Sequence, residues 1–514
     1  EAEQILTYFH IITMLSSMLL LAATAVAILV FRALMQAYTS TKRNIPGPFL
    51  AKFSRLWYLS RIWTRQCHLE MINLHKQYGP LVQVAPNEYS VSDPEAIKAI
   101  YGHGTRFTKS LWYSAFGVPG HANLFADHIP QRHAQRRRQL ASMYSMSNLI
   151  HYEPAAMECA ALLKERFHEI AQERTAIDLH HWVQCFAFDV ITSITCGKRI
   201  GFLNNGVDEI GAFATLNGAQ AYSSLAGVYY ELHPLMFNIQ QFFSNFGLGG
   251  NGLQAMIDFS EVQVKKRQVL LKDIDRKPAP SDDFLAKILA RHEESPESFS
   301  MDEVLDSCAM NLIAGSDTTA ISLTAIVWFL IKNPQTLCQL REEIDAKMGE
   351  QEEPRPLPFK ETQTMPYLQA VIKEAIRLHS PAGISMARIV PEGGATIVGH
   401  YLPEGTAVGV NPWVTHIDPN VYGPDAQVFR PERWIDSDPE QLKRMERSWM
   451  PFGHGSRTCI GKNISILEIS VLVPQLVCHF DFKLVHPEQE LVCDNIFLVK
   501  QKNIFCYVTD RVEL

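Results

Sequence analysis

The sequence predicts a mainly α protein with small β-sheets (α+β): one large helical body carried on an N-terminal membrane helix. Three observations support this. Apolar residues recur at helical spacing over 132–147, 153–174, 252–275, 300–332 and 362–379. Alternating segments that read as strands are short and confined to two places. An uncharged apolar run opens the chain. With 514 residues and 47% hydrophobic content, there is enough material for one large core. A net charge of -7 gives no global attraction to nucleic acid, so no nucleic-acid partner is expected.

The opening run spans Ile5 to Phe31 and includes MLLLAATAVAILVF. It exceeds the ~20 residues a helix needs to cross the hydrocarbon layer. A cleaved signal peptide has a shorter apolar region of roughly 7–15 residues. Glu1 and Glu3 precede the run, whereas Arg32, Lys42, Arg43, Lys52 and Arg55 follow it. The positive-inside rule then makes 1–4 lumenal, 5–31 a single transmembrane helix embedded in lipid, and the rest cytosolic. Residues 32–48 form a linker ending in the stiff Pro46-Gly47-Pro48 hinge, and 49–514 form the main domain. The ten cysteines contain no CxxC pair, which suits reduced thiols in the cytosol.

Within the main domain, LVQVAPNEYSVSD (81–93) alternates around Pro-Asn and predicts a hairpin; ATIVGHYLPEGTAVGV (395–410) predicts a second around Pro-Glu-Gly. Ser300 and Glu303 make a capping box, and Asn333-Pro334 ends the run between them. The resulting helix of about 32 residues is roughly 50 Å long at 1.5 Å per residue. It is apolar nearly all round, so it belongs in the middle of the domain. The stretch 276–299, with RKPAPSDD followed by ARHEESPES, is where exposed loops are most expected.

Three patterns carry chemistry. In FGHGSRTCIG (452–461) a single thiol sits among glycines. Gly453 and Gly455 permit a tight turn whose backbone N–H groups hold a thiolate, and Gly461 lets the next helix approach a flat ring. Arg457 is shaped to pair with a carboxylate of such a ring. A bland buried thiol or a nucleophile are the alternatives. Glu374 and Arg377, at i,i+3, are an ordinary helix pair when met alone. AGSDTT (314–319) puts poor helix formers in the middle of the long helix, either as a packing notch or as a bend beside a reactive group.

Together these patterns resemble the cytochrome P-450 superfamily of haem-thiolate monooxygenases. Phe452, Gly455, Arg457, Cys459 and Gly461 match every fixed position of the FxxGxRxCxG signature. Glu374 and Arg377, with Arg433 of Pro431-Glu-Arg-Trp434, resemble the structural Glu-Arg-Arg triad. YGPLVQVAPNEYSVSDPEAI and FDVITSITCGKRIGF look most like fungal, membrane-bound, pisatin-demethylase-like members. The resemblance covers roughly 46–514.

It implies a fold with haem b between the long central helix and the cysteine loop, the iron held by Cys459. Asp317 and Thr318 would be the acid–alcohol pair delivering protons to iron-bound O2, with Ala314 and Gly315 leaving room for the gas. Arg137, Arg388 and Arg457 would hold the propionates. His133 stands where a tryptophan is usual, and a solvated basic face explains RHAQRRR almost as well.

The implied partners are O2, a bulky apolar small molecule, and NADPH-cytochrome P-450 reductase, with cytochrome b5 as a further donor. Electrons would come from NADPH, at the endoplasmic reticulum membrane. Arg132, Arg136, Arg138, Lys443, Arg444 and Lys462 would form the reductase-docking patch. Residues 101–126, 205–250 and 382–386 would wall the substrate pocket in fungal secondary metabolism or detoxification. A haem-thiolate isomerase or peroxygenase needing no reductase, and a non-catalytic haem sensor, are the competing readings.

Overall fold

In the structure, a computed structural model, the long helix is Met301–Lys332, closed at its start by the reciprocal Ser300–Glu303 capping box. Residues 45–121, 123–247, 250–271, 279, 282–349 and 355–511 are described, with isolated positions at 13, 14, 16, 17, 20 and 24. The membrane-span expectation for 5–31 therefore falls almost wholly outside the described residues. Among those residues, one helix is long and apolar enough to cross a membrane: the long helix itself, whose flanks are mostly buried.

The long helix runs antiparallel to the helix Leu179–Cys196. Their register is visible in three contacts: Asn311 Nδ2 donates to Thr195 Oγ1 at 3.3 Å, Gly315 lies against Ile191, and Thr324 Oγ1 meets His180 Nδ1 at 3.0 Å. Hydroxyls that apolar packing would strand are satisfied within the helix. Thr318 Oγ1 donates to Ala314 O (2.7 Å), Ser316 to Leu312 O (2.9 Å) and Ser322 to Thr318 O (2.9 Å). Around this pair pack the helices Glu153–Glu173, Pro366–Leu378 and Lys462–His479, all contributing to one apolar core.

A five-stranded sheet forms the second layer, in the order Leu81–Ala85, Glu88–Val91, Ala407–Val410, Arg388–Ile389, Thr108–Lys109. The 81–93 hairpin forms as expected. The 395–410 segment does not. Its hairpin pairs Ala395–Ile397 with His400–Leu402 around Val398 and Gly399, whose φ values are 50° and 72°. The Pro-Glu-Gly turn instead sends Ala407–Val410 into the larger sheet, parallel to Glu88–Val91. Alternation marks a strand but does not choose its partner.

Other boundaries differ for local reasons. The expected 132–147 helix stops as Pro130–Leu140; a 3-10 turn follows, and extended Ser145 breaks the run. The 276–299 loop contains the helix Phe284–Glu294, whose first turn is capped by Asp283 accepting from Ala286 N. Here the FLAKIL stripe outweighs the charges on either side. The 252–275 run is helical over Gly252–Leu271, and the remainder lies outside the described residues.

Candidate haem-thiolate site

The cysteine loop is built by its glycines. Gly453 and Gly455 take φ of +69° and +64°. A Cβ on Gly455 would stand 1.8 Å from the carbonyl oxygen of Tyr101, so only glycine fits there. Cys459 N donates to Phe452 O at 2.8 Å, closing the loop over a 3-10 turn at Gly455–Arg457. Beyond it, the N–H groups of Gly461 and Lys462 point at the sulfur. Burial pushes the Cys459 thiol up, while these two N–H groups and the Arg137 guanidinium pull it down; burial wins. A cation at Sγ would reverse that balance. Among the described residues no three His, Cys, Asp or Glu side chains converge as a metal cluster, so Cys459 would be a lone protein ligand.

The sulfur is deep in the protein yet retains accessible surface. The long helix does the same along one line: Met310, Ile313, Ala314 and Thr318 are accessible or partly so, whereas Leu312, Ser316 and Asp317 are buried. These positions are spaced i, i+3/4, i+8, which makes a single stripe. Gly315 lies beside the stripe rather than on it. Its absent Cβ would meet Ile191 Cγ1 at 2.7 Å, so this glycine is a notch for the neighbouring helix, and Ala314 is the small residue on the open face.

Charge gives the clearest test of fit. Arg388 and Lys109 are directly opposed across antiparallel strands, an arrangement that repulsion disfavours by itself. Arg457, Arg137 and His133 join them. Burial and mutual repulsion depress Lys109 well below its usual range and lower Arg457 to about 10 and His133 to about 3. The nearest carboxylate, Asp127, is already gripped by Arg132 Nε (2.7 Å) and Nη2 (2.9 Å). Arg457 Nη1 reaches only the Asp127 backbone oxygen (2.6 Å), and Arg388 Nη1 the carbonyls of Met386 (3.2 Å) and Ala387 (3.0 Å). Among the described residues none of Lys109, Arg137, Arg388 or Arg457 pairs with a carboxylate. Such a cluster fits a dianion, and the two propionates of haem are one. Lys109 was not visible in the sequence, because strand pairing alone brings it to Arg388.

The triad is buried to 1% exposure or less. Glu374 Oε1 accepts from Arg377 Nη2 (2.7 Å), Arg433 Nε (2.7 Å) and Arg430 N (3.1 Å); Oε2 accepts from Arg377 Nε (2.8 Å) and Trp434 Nε1 (2.8 Å). The network extends to the cysteine loop through a residue that sequence reasoning missed. His416 Nδ1–H donates to Arg377 O at 2.8 Å, and its Nε2 accepts from Met450 N at 2.9 Å, two residues before Phe452. Histidine tautomerism requires this assignment, since Met450 N can only donate.

Asp317 and Thr318 are not brought together. Thr318 lies on the accessible stripe; Asp317 turns to the other side and is held by Gln184, Gln220 and Lys500. The docking patch is also partly neutralised. Arg132 pairs with Asp127, Arg136 with Glu303 (3.1 Å) and Lys443 with Glu440 (2.9 Å), leaving Arg138 and Arg444 exposed and Lys462 half-buried near the Trp449 and Phe452 rings. Residues 101–126 and the Val492–Asn495/Val499–Lys502 hairpin meet in an aromatic cluster of Trp112, Phe116, Phe125 and Phe497.

Comparison with known proteins shows the family. The family described as Cytochrome P450 matches residues 46–507. A pisatin demethylase of Fusarium vanettenii is 37% identical over 470 residues, covering 91% of each chain. Cytochrome P450 monooxygenases of Emericella nidulans and Penicillium aethiopicum are 33% and 34% identical; each aligns with 91% of this chain and with 93% or more of its own. The chain belongs to the cytochrome P450 family and is a monooxygenase-type oxidoreductase, and haem is the cofactor its family implies.

Proposed function

We propose that the chain is a membrane-anchored monooxygenase that oxidises a bulky apolar small molecule with electrons supplied from NADPH through a reductase. The observation that carries this reading is the pairing of an accessible, amide-cradled sulfur with a buried to half-buried basic cluster, Lys109, Arg137, Arg388 and Arg457, none of which is ion-paired to a carboxylate among the described residues. Cys459 would hold the iron, with Arg137, Arg388, Arg457 and Lys109 taking the propionates and His133 packed among them. When bound, haem with a thiolate ligand supplies oxygen activation, the thiolate favouring O–O cleavage.

The protein's part is positioning. Ala314 would leave room beside a bound haem, and Thr318 presents a hydroxyl on the same stripe. Asp317 is the acid that serves it after a side-chain rearrangement. The aromatic cluster of Trp112, Phe116, Phe125 and Phe497 supports a flat or aromatic substrate, which can stack on or meet these rings edge to face. The name of the Fusarium relative favours removal of a methyl group among the possible outcomes. The fungal relatives support a place in secondary metabolism or detoxification. The uncharged 5–31 run and the basic residues after it support endoplasmic reticulum anchoring with the domain cytosolic.

The test is reconstitution with NADPH-cytochrome P-450 reductase and a panel of methoxylated aromatic compounds. NADPH and O2 should be consumed in proportion to product. Turnover without reductase or any oxidant would establish an isomerase instead, and haem binding with no oxidation under any electron supply would establish a sensor. The carbon monoxide complex of the reduced protein should show the band diagnostic of thiolate ligation, and Cys459→Ala should abolish it.

A further inference from the structure

Among the described residues, the hydrogen-bond partners of the Asp317 carboxylate are all donors. Gln184 Nε2 donates to Oδ1 at 2.6 Å; Gln220 Nε2 (2.7 Å) and Lys500 Nζ (2.6 Å) donate to Oδ2. The carboxylate is fully buried, and the Lys500 side chain is 8% exposed. Once Asp317 has given up a proton, this shell decides where the next one comes from. A carboxamide N–H is not acidic enough to supply it. His180 is electrostatically coupled to both Lys500 and Asp317, but burial, helped by Lys500, lowers its imidazole to about 3. Its Nδ1 is engaged with Thr324 Oγ1 and its Nε2 has no partner. The ammonium of Lys500 is therefore the acidic proton in contact with Asp317 among the described residues.

Lys500 also faces outward. Its Nζ donates to Asn217 Oδ1 at 2.5 Å, and Asn217 is a half-buried residue of the helix Ala212–Ala226. The strand carrying Lys500 is fixed rather than loose: Val499 N donates to Pro381 O (2.8 Å) and Gln501 Nε2 to Ile321 O (2.9 Å) on the long helix itself. A lysine held between a half-exposed amide and a fully buried acid has the geometry of a relay.

We propose that Lys500 is the proton donor that reloads Asp317, so that protons consumed in turnover enter along Asn217, Lys500 and Asp317. This rests on the reading of Asp317 as the acid that serves Thr318. In the step, an Nζ–H bond breaks and an O–H bond forms at Oδ2. The electron pair stays on nitrogen, which leaves a neutral amine beside a neutral acid. The amine regains its proton from water on the Asn217 side.

Arginine separates this role from a purely structural one. Lys500→Arg keeps the positive charge and the donors, but a guanidinium does not release its proton in a protein. The variant should bind haem, keep the carbon monoxide band and show an ionised Asp317 by infrared difference against Asp317→Asn. Product formation should nonetheless fall about 10²-fold, the lower end for loss of a proton-transfer group, with reducing equivalents diverted to peroxide. Lys500→Arg with wild-type coupling and solvent isotope effect would overturn the proposal. Should Lys500→Arg fail to hold haem, Lys500→Ala with added methylamine replaces it: rescue of coupling supports the donor role, and no rescue overturns it. Asp317→Asn distinguishes the two readings. If it is uncoupled while Lys500→Arg is normal, only the Lys500 role falls; if it is itself normal, the Asp317 relay falls as well.

Discussion

Replacing Glu374 by glutamine changes one oxygen to an amide nitrogen at the centre of the buried triad. Both carboxylate oxygens accept only from donors, three at Oε1 and two at Oε2. The least damaging orientation keeps the glutamine oxygen at the Oε1 position. Its NH2 then faces Arg377 Nε–H and Trp434 Nε1–H, so two bonds are lost and donor meets donor. The guanidiniums of Arg377 and Arg433 keep backbone acceptors at Ala426 (2.6 Å) and Tyr422 (2.6 Å), and Asp425 Oδ1 stays 3.2 Å from Arg433. Their full charges nevertheless lose the one buried anion.

Breaking a buried ion pair from one side typically costs about 3–5 kcal/mol. A folded domain has about 5–15 kcal/mol in hand. Glu374→Gln should therefore yield little holoprotein, and what forms should lose its thiolate-type carbon monoxide band at far lower guanidinium concentration than wild type. Loss should appear at the haem because Arg377 reaches Met450 through His416. Trp434→Phe removes one donor to the buried carboxylate and part of the ring under Lys373, and should cost about 1.5–3 kcal/mol, less than the loss of the charge itself. A Glu374→Gln protein with normal haem content and a denaturation midpoint within error of wild type would refute this account of the triad.

Other outcomes follow from the same geometry. Gly455→Ala has no space beside Tyr101 O and should give no holoprotein; Gly461→Ala, whose Cβ would meet Cys459 Sγ at 4.0 Å, should fold but shift the haem spectrum. Thr318→Ala should bind haem normally and release peroxide in place of product, measured as peroxide per NADPH; unchanged coupling would remove Thr318 from proton delivery. Stability should fall with acid. His68, His180 and His416 are lowered to about 3 and His75, His379 and His479 to about 4, chiefly by burial. Between those values and the unfolded value of 6.5 the unfolded chain binds more protons, so each of the five buried histidines removes up to about 1.4 kcal/mol per pH unit on acidification, and half-buried His479 less. Raised Glu88, Glu468, Asp178 and Asp306 titrate in the opposite sense, and four carboxylates do not reverse the slope of six histidines. Tryptophan fluorescence and haem retention between pH 7 and 4.5 would check it, and a flat profile would contradict it.

Features that depend on neighbours along the chain can be read from the residues alone. The capping box and length of Met301–Lys332, the glycine turns around Cys459 and the i,i+3 bond of Glu374 to Arg377 are all set within a few residues, and each was legible. Which buried polar groups meet is set by packing between distant elements. His416 links Arg377 to Met450, strand pairing sets Lys109 against Arg388, and Lys500 closes on Asp317 across 183 positions. Composition announces that a buried charge needs a partner, because leaving it alone in a low dielectric is costly. It does not name the partner, because that follows from the packing of elements distant in sequence. Gly315 shows the same division: its smallness was readable, but only the position of Ile191 shows which face of the helix needed it.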